Sequence, residues 1–199
     1  MHLLIPPLPF LISALAAQDP CPAGPHIITV RETSASPNEG LVRQLADLAQ
    51  YALPGSDIHD IEYPATAIGP IYFTSEAEGV KNTTLAIKSF TSQCPKTDIV
   101  LLGYSQGAQV VGDVLCGTSE LLFSKTDPLP WEFGKQVKAA ILMGDVSHVP
   151  DAPYAVGNST NEGWFPRLEN TECKPYTNIL RSYCDADDRF YSEDKFLIY

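Results

Sequence analysis

From His26 onward, short apolar runs alternate with longer segments whose apolar residues recur every three or four positions. A short continuous apolar run suits a strand buried on both faces, and the wider recurrence suits a helix with one buried side. His26-Ile27-Ile28-Thr29-Val30 reads as the first strand and Arg31 to Pro37 as the loop leaving it. Leu41, Leu45, Leu48 and Ala49 mark an amphipathic helix closed by Pro54-Gly55. Ile58 to Tyr63 alternates as a second strand should, and Pro64 stops it. Thr74 or Ser75 with Glu78 offers a capping box for a helix bearing Val80, Ile87 and Phe90. Ile99 to Leu102 is a third strand, and Ala108, Val111, Val114 and Leu115 form a helix just beyond it. Thr118 to Gln136 breaks the pattern and reads as a Pro-containing loop with Leu121, Leu122, Phe123 and Trp131; over 118–135 it has two readings, a substrate lip and a surface loop with a few packed side chains. Val137 to Met143 and Asn178 to Tyr183 are the fourth and fifth strands.

Strands alternating with helices imply the α/β class: a three-layer α/β/α sandwich around a mainly parallel, five-stranded sheet. In such sheets chemistry gathers in the loops beyond the carboxyl ends of the strands. Arg31 to Ser34, Ser105, Asp145 to His148 and Asp185 to Asp188 all fall on that rim.

A chain of 199 residues suits one domain with a single sizeable core. Residues 3–16, LLIPPLPFLISALA, read as a secretory leader. The stretch is too short to cross a bilayer, and Ala14-Leu15-Ala16 offers a small-x-small cleavage site. The expected division is a leader over 1–16 and a single domain over 17–199. The net charge of −11 argues against nucleic acid and against an anionic membrane surface as partners. It fits a neutral or polymeric substrate. Five cysteines, at 21, 94, 116, 173 and 184, suit an oxidising compartment, and an odd number leaves at least one without an intrachain partner. None has zinc-ligand spacing, so no metal is expected. Asn82-Thr83-Thr84 and Asn158-Ser159-Thr160 are glycosylation sequons, consistent with the same route.

Gly103-Tyr104-Ser105-Gln106-Gly107 joins the third strand to its helix and matches the G-x-S-x-G nucleophile elbow. Such a turn is tight and strained, and side chains at the two glycines would collide with the neighbouring strand and helix. It presents the Ser105 hydroxyl at the positive end of a helix. A serine becomes a nucleophile when a histidine takes its proton and a carboxylate orients that histidine. Two donors must also receive the developing oxyanion. The backbone N–H of Gln106 is one of them in this geometry. The other belongs on a loop after an earlier strand, where Thr33 stands and can add its hydroxyl. Asp145, Asp185, Asp187 and Asp188 are the candidate acids on the rim.

Cys21-Pro22, Arg31-Glu32-Thr33, Gly103 to Gly107, Met143-Gly144-Asp145 and Ser182 to Asp188 stand in an order that resembles the acetylxylan esterase and cutinase family of secreted serine esterases. His148-Val149-Pro150, and Cys116 closing the nucleophile helix, lean towards the acetylxylan esterase branch. The resemblance implies a cutinase-like α/β hydrolase with Ser105 as nucleophile, Asp188 as triad acid, and Thr33 with Gln106 as oxyanion hole. It implies disulfides Cys21–Cys94 and Cys116–Cys173, no cofactor, and extracellular action on acetylated xylan or another polymeric ester, with cutin-type polyester as the alternative. A monomer is the expected state.

One departure stands out. The family's order is serine, acid, histidine, yet RFYSEDKFLIY, the stretch after Asp188, contains no histidine. Tyr191 or Ser192 stands where the family has a cysteine, which makes Cys184 the odd one. His148, on the correct rim, is the alternative base, with a structural or substrate role as its other reading. His26 and His59 lie in or at strands and read as structural. Two rival expectations follow: a non-catalytic relative that keeps the fold for binding, and a chain whose histidine-bearing segment lies beyond this sequence.

Overall fold

The computed structural model describes residues 21–67, 69–169 and 171–186. One sheet contains β1 (His26–Val30), β2 (Asp57–Asp60), β3 (Ile99–Tyr104), β4 (Val137–Met143), β5 (Ala155–Val156) and β6 (Leu180–Tyr183). The order across it is β2-β1-β3-β4-β6-β5, and every neighbouring pair is parallel. The sheet thus has six strands and not the five expected. The additional one, β5, is two residues long and lies in an irregular stretch, too short to carry a periodicity.

Alternate residues of each strand serve opposite faces. Ile28, Val30, Ile99 and Leu101 pack with Val80 and Ile87 of α2 (Gly69–Gln93) and with Val110, Val111 and Val114 of α3 (Gln106–Cys116). Their neighbours Ile27 and Leu102 turn the other way, onto Val42 and Ala46 of α1 (Leu41–Ala52). The result is an α/β/α sandwich in which α3 is buried along its whole length.

Topology sets the site. After β1 the chain passes through α1 to β2 on one side, then through α2 back across to β3 on the other. The strand order reverses between β1 and β3, and the loops leaving those two strands diverge there to open a crevice. Ser105 follows β3 and Arg31 to Ser34 follow β1, so both lie at this switch point.

Two local expectations are corrected. The helix α2 begins at Gly69-Pro70, five residues before Thr74, so Thr74 and Ser75 do not cap it. The Ser75 hydroxyl instead donates to Gln106 Oε1 (3.3 Å) and accepts from the Thr66 N–H (3.1 Å). The stretch from Thr118 to Gln136 is not one irregular loop. Thr118, Ser119 and Glu120 are buried, the Thr118 and Thr126 hydroxyls pair at 2.9 Å, and Trp131–Gly134 forms a short helix, α4. Disulfides join Cys21 to Cys94 and Cys116 to Cys173. Cys184 is buried and lies outside both bridges.

Candidate active site

Ser105 sits between β3 and α3 with φ 53° and ψ −120°, a left-handed conformation that a residue bearing a Cβ adopts only under constraint. Three backbone bonds impose it. The Ser105 N–H donates to Met143 O on β4 (2.9 Å), and Ser105 O accepts from Ala108 (2.9 Å) and Gln109 (3.1 Å) in the first turn of α3. The flanking glycines make room. A Cβ on Gly103 would lie 2.8 Å from Ala108 Cα, and one on Gly107 would overlap the Val30 carbonyl and reach within 2.6 Å of Arg31 O. The second contact is the informative one: it presses the first turn of α3 against the end of β1, where the Thr33 loop begins.

Arg31-Glu32-Thr33 divides its labour. The buried Arg31 guanidinium donates to Ala35 O (2.9 Å), Ile61 O (3.1 Å) and Tyr63 O, and the Tyr63 hydroxyl donates back to Arg31 O at 2.6 Å. Glu32 Oε1 accepts from the Leu41 N–H at 2.7 Å, capping the amino end of α1. Ser34 is held at φ 64° with its N–H on Ala65 O (2.7 Å). The residues around Thr33 are therefore fixed from three directions, while Thr33 itself is half-buried at the turn. Gln106 is fully buried, and its side-chain amide bridges Thr66 O (3.2 Å) and the Ser75 hydroxyl. That pins the residue after the serine whose N–H is the candidate oxyanion donor.

Three histidines are described. His26 stacks on Phe90 with ring centroids 3.7 Å apart and bonds Asp57 at 2.8 Å, at the end of β1 remote from Ser105. His59 is exposed on β2, an edge strand. His148 lies on the rim after β4, buried, its Nδ1 paired with the Ser182 hydroxyl at 3.3 Å. Burial lowers its pKa, with nearby Asp145 opposing, so the ring is neutral at pH 7. Asp145 Oδ1 accepts from the N–H and hydroxyl of Ser147 (2.8 and 2.7 Å), and Oδ2 faces the Ser182 hydroxyl at 3.5 Å. This carboxylate therefore shapes the β4 loop. Asp185 Oδ1 accepts from the Asn158 N–H at 3.4 Å. Asp187 and Asp188 lie outside the described residues. Both sequon amides are engaged: Asn82 donates to Glu62 O and the Asn158 side-chain oxygen accepts from the Ala186 N–H, each at 2.8 Å.

Sequence reasoning missed a buried charge cluster. Arg167 meets Asp113 at 2.6 Å and Glu120 at 3.2 Å, and it also donates to Gly117 O (2.8 Å) and to the Ser147 hydroxyl (3.1 Å). Glu76 on α2 completes the group. Burial pushes the Glu76 carboxyl up to about 7 and, with Asp113 beside it, that of Glu120 up to about 8; Asp113 is raised well above its ordinary value. The available signal was a carboxylate at a core position of each helix: Glu76 between Tyr72 and Val80, and Asp113 among the valines of α3. Among the described residues no group of His, Cys, Asp and Glu could hold a metal ion.

A strained serine at a topological switch point, seated on the first turn of a buried helix and backed by a parallel sheet, is the architecture of an α/β hydrolase. The family model described as Cutinase matches residues 20–195, and the chain belongs to that family. An acetylxylan esterase of Hypocrea jecorina is 36% identical over 85% of this chain, and Cutinase 11 of Verticillium dahliae is 35% identical over 89%. The matched regions span 58% and 62% of those two relatives, so the chain corresponds to only part of their length. The catalytic core domain of acetyl xylan esterase from Trichoderma reesei superposes with a TM-score of 0.78 at 36% identity, covering 86% of each chain.

Proposed function

We propose that this chain is a secreted serine carboxylester hydrolase of plant cell-wall polymers, with deacetylation of xylan as its reaction. The observation that carries the reading is the Ser105 elbow, a strained strand-to-helix turn of the kind that presents a nucleophilic hydroxyl on the rim. In the proposed mechanism Ser105 Oγ attacks the ester carbonyl carbon and the developing oxyanion is received by the Gln106 N–H and by Thr33. The alcohol leaves with a proton, and water then attacks the acyl-serine, releasing the carboxylic acid and restoring the hydroxyl. Asp188 is the proposed acid. The acetylxylan esterase relatives support acetate as the acyl group, and the cutinase relative supports polyester as the alternative.

A second reading is favoured by the described histidines. His26 is remote, His59 is at an edge, and His148 is engaged with Ser182, so a chain using none of them as base would retain the fold for binding. The test is hydrolysis of p-nitrophenyl acetate and of acetylated xylan by the protein and by Ser105→Ala. Ser105-dependent turnover at ordinary enzyme rates supports the hydrolase. Loss of a triad member leaves about 10³–10⁴-fold acceleration over water, so turnover at that level, unchanged in Ser105→Ala, together with retention on xylan supports the binding reading.

A further inference from the structure

The stretch that follows β2 touches the residues of both candidate oxyanion donors. Ile61 continues the parallel pairing of β2 with β1, its N–H donating to Thr29 O at 2.9 Å. From there alternate residues face the Thr33 loop. Ile61 O (3.1 Å) and Tyr63 O accept from the Arg31 guanidinium, and Ala65 O accepts from the Ser34 N–H at 2.7 Å. The next carbonyl, Thr66 O, accepts from the Gln106 side chain at 3.2 Å. Ile61, Tyr63 and Ala65 are buried in the core, and Asn82 of α2 donates to Glu62 O between them at 2.8 Å. One short stretch thus holds the loop of Thr33 on one side and the residue after Ser105 on the other.

Thr33 is the second residue of a β-turn closed by the Ala35 N–H on Glu32 O at 3.2 Å. No peptide here is cis, so the Glu32 carbonyl and the Thr33 N–H point to opposite sides of their shared plane. The carbonyl faces into the turn, and the N–H therefore faces out of it. Among the described residues nothing accepts from that N–H or pairs with the Thr33 hydroxyl. Ser34, the third residue, is held at φ 64°, a strained state that lasts only where the surroundings impose it. Groups outside the turn therefore set the direction of the donor.

Among the described residues, the Tyr63 hydroxyl is the one side-chain group of the stretch 61–66 that bonds this loop. It donates to Arg31 O at 2.6 Å, and the Arg31 guanidinium, which lies 4.9 Å from the centre of the Tyr63 ring, returns a bond to Tyr63 O. Burial pushes the phenol well above its ordinary pKa, so its proton stays on the oxygen. Arg31 O is also the atom that a Cβ on Gly107 would approach to 2.6 Å, so the bonded carbonyl lies against the first turn of α3. On its other side the ring meets Gly79 of α2, where an added Cβ would stand 3.1 Å from Tyr63 Cδ2. A wedged phenol thus fixes the carbonyl at the entry to the Thr33 turn, where that turn meets the elbow helix.

We propose that the stretch 61–66 is a template that sets the Thr33 and Gln106 donors relative to each other, and that Tyr63 is its positioning residue, acting through Arg31 O. The proposal rests on the hydrolase reading and adds to it a residue that touches neither substrate nor serine. Without the phenolic bond the Arg31–Glu32 peptide is free to rotate, and the Thr33 N–H turns away from the place where the oxyanion forms.

The test is Tyr63→Phe, which keeps the ring and its packing and removes one hydrogen bond. Tyr176→Phe is the control, because it deletes a comparable buried bond, to Leu129 O at 2.5 Å, beside the far end of α3. In Tyr63→Phe, kcat for p-nitrophenyl acetate should fall about 10–100-fold with KM unchanged, a displaced donor being missed only in the transition state. Tyr176→Phe should lower the unfolding midpoint and leave kcat within twofold. A kcat within twofold in Tyr63→Phe, a loss carried by KM, or an equal fall in both variants overturns the proposal. Hydrogen exchange of the amides of residues 32–35 needs no turnover, and in Tyr63→Phe it should quicken about fivefold or more. Unchanged exchange overturns the proposal whatever the rates. Failure of the hydrolase reading looks different: the unsubstituted protein then shows no Ser105-dependent hydrolysis, and quickened exchange in Tyr63→Phe leaves the template standing without it.

Discussion

The cluster of Glu76, Asp113 and Glu120 around Arg167 fixes how stability should respond to alkali. Fully ionised, it would place three negative charges against one positive charge in a site where all four residues are nearly inaccessible. The chain avoids this by keeping protons: the Glu120 carboxyl, ordinarily at 4.5, is pushed up to about 8, first by burial and then by Asp113. A carboxylate whose folded pKa is raised contributes stability that is present in full below the unfolded value and is lost as pH rises through the folded one. Between pH 6 and pH 9, linkage with those two values gives a loss of about 3 kcal/mol from Glu120 alone. Glu120→Gln mimics the protonated acid, so it should remove this part of the pH dependence. The assay is urea unfolding of both proteins at pH 6 and pH 9. Glu120→Gln should be within about 1 kcal/mol of the original protein at pH 6 and should gain about 2–3 kcal/mol on it by pH 9. Equal differences at the two pH values, or a variant that loses ground in alkali, would refute the reasoning, because Glu120 would then be ionised throughout.

The remaining predictions concern the frame of the elbow. Gly107→Ala should destabilise by about 3 kcal/mol or more and abolish ester hydrolysis, because its Cβ meets backbone of β1 that no side-chain rotation can move; unfolding midpoints and p-nitrophenyl ester rates check both. Replacing Cys116 and Cys173 together by alanine opens a loop of 57 residues and should cost about 4 kcal/mol on the chain-entropy estimate, read as a lowered urea midpoint.

The elbow was legible because its signal is local and doubled. Gly103 to Gly107 is a motif by itself, and the apolar run of β3 before it and the helical spacing of α3 after it leave one geometry for the serine. Strands β1, β3 and β4 were legible for a related reason: a central parallel strand is apolar on both faces and needs no partner to announce it. β5 has two residues and gains its identity from pairing with β6, a contact that spacing along the chain does not encode. The capping box at Thr74 or Ser75 shows the converse failure. A three-residue spacing was present, but Ser75 faces Gln106 and Thr66, and tertiary packing decided its partner.

The apolar cavity lined by Pro70, Tyr72, Leu122 and Trp164 and the charge cluster were hidden for a common physical reason. Both draw on α2, on the segment after α3 and on the segment around residues 164–167, and the cluster adds Asp113 of α3 itself; these stretches are separated by dozens of residues and their meeting depends on the crossovers of the sheet. Arg167 links the two features. It draws Gly117 and Glu120 towards Asp113, and it holds Ser147 on the β4 rim, so the segments bearing Leu122 and Trp164 are anchored to one buried cation. Arg31 plays the corresponding part on the other side of the switch point, drawing Ala35, Ile61 and Tyr63 around the loop of Thr33. The two loops of the crevice are thus positioned by buried guanidinium groups that satisfy backbone carbonyls, five donors in a planar fork being suited to gathering irregular segments. The loop after β1 is thus tied to Arg31 and the loop after β4 to Arg167, while the Ser105 elbow between them is held by backbone bonds to β4 and to the first turn of α3.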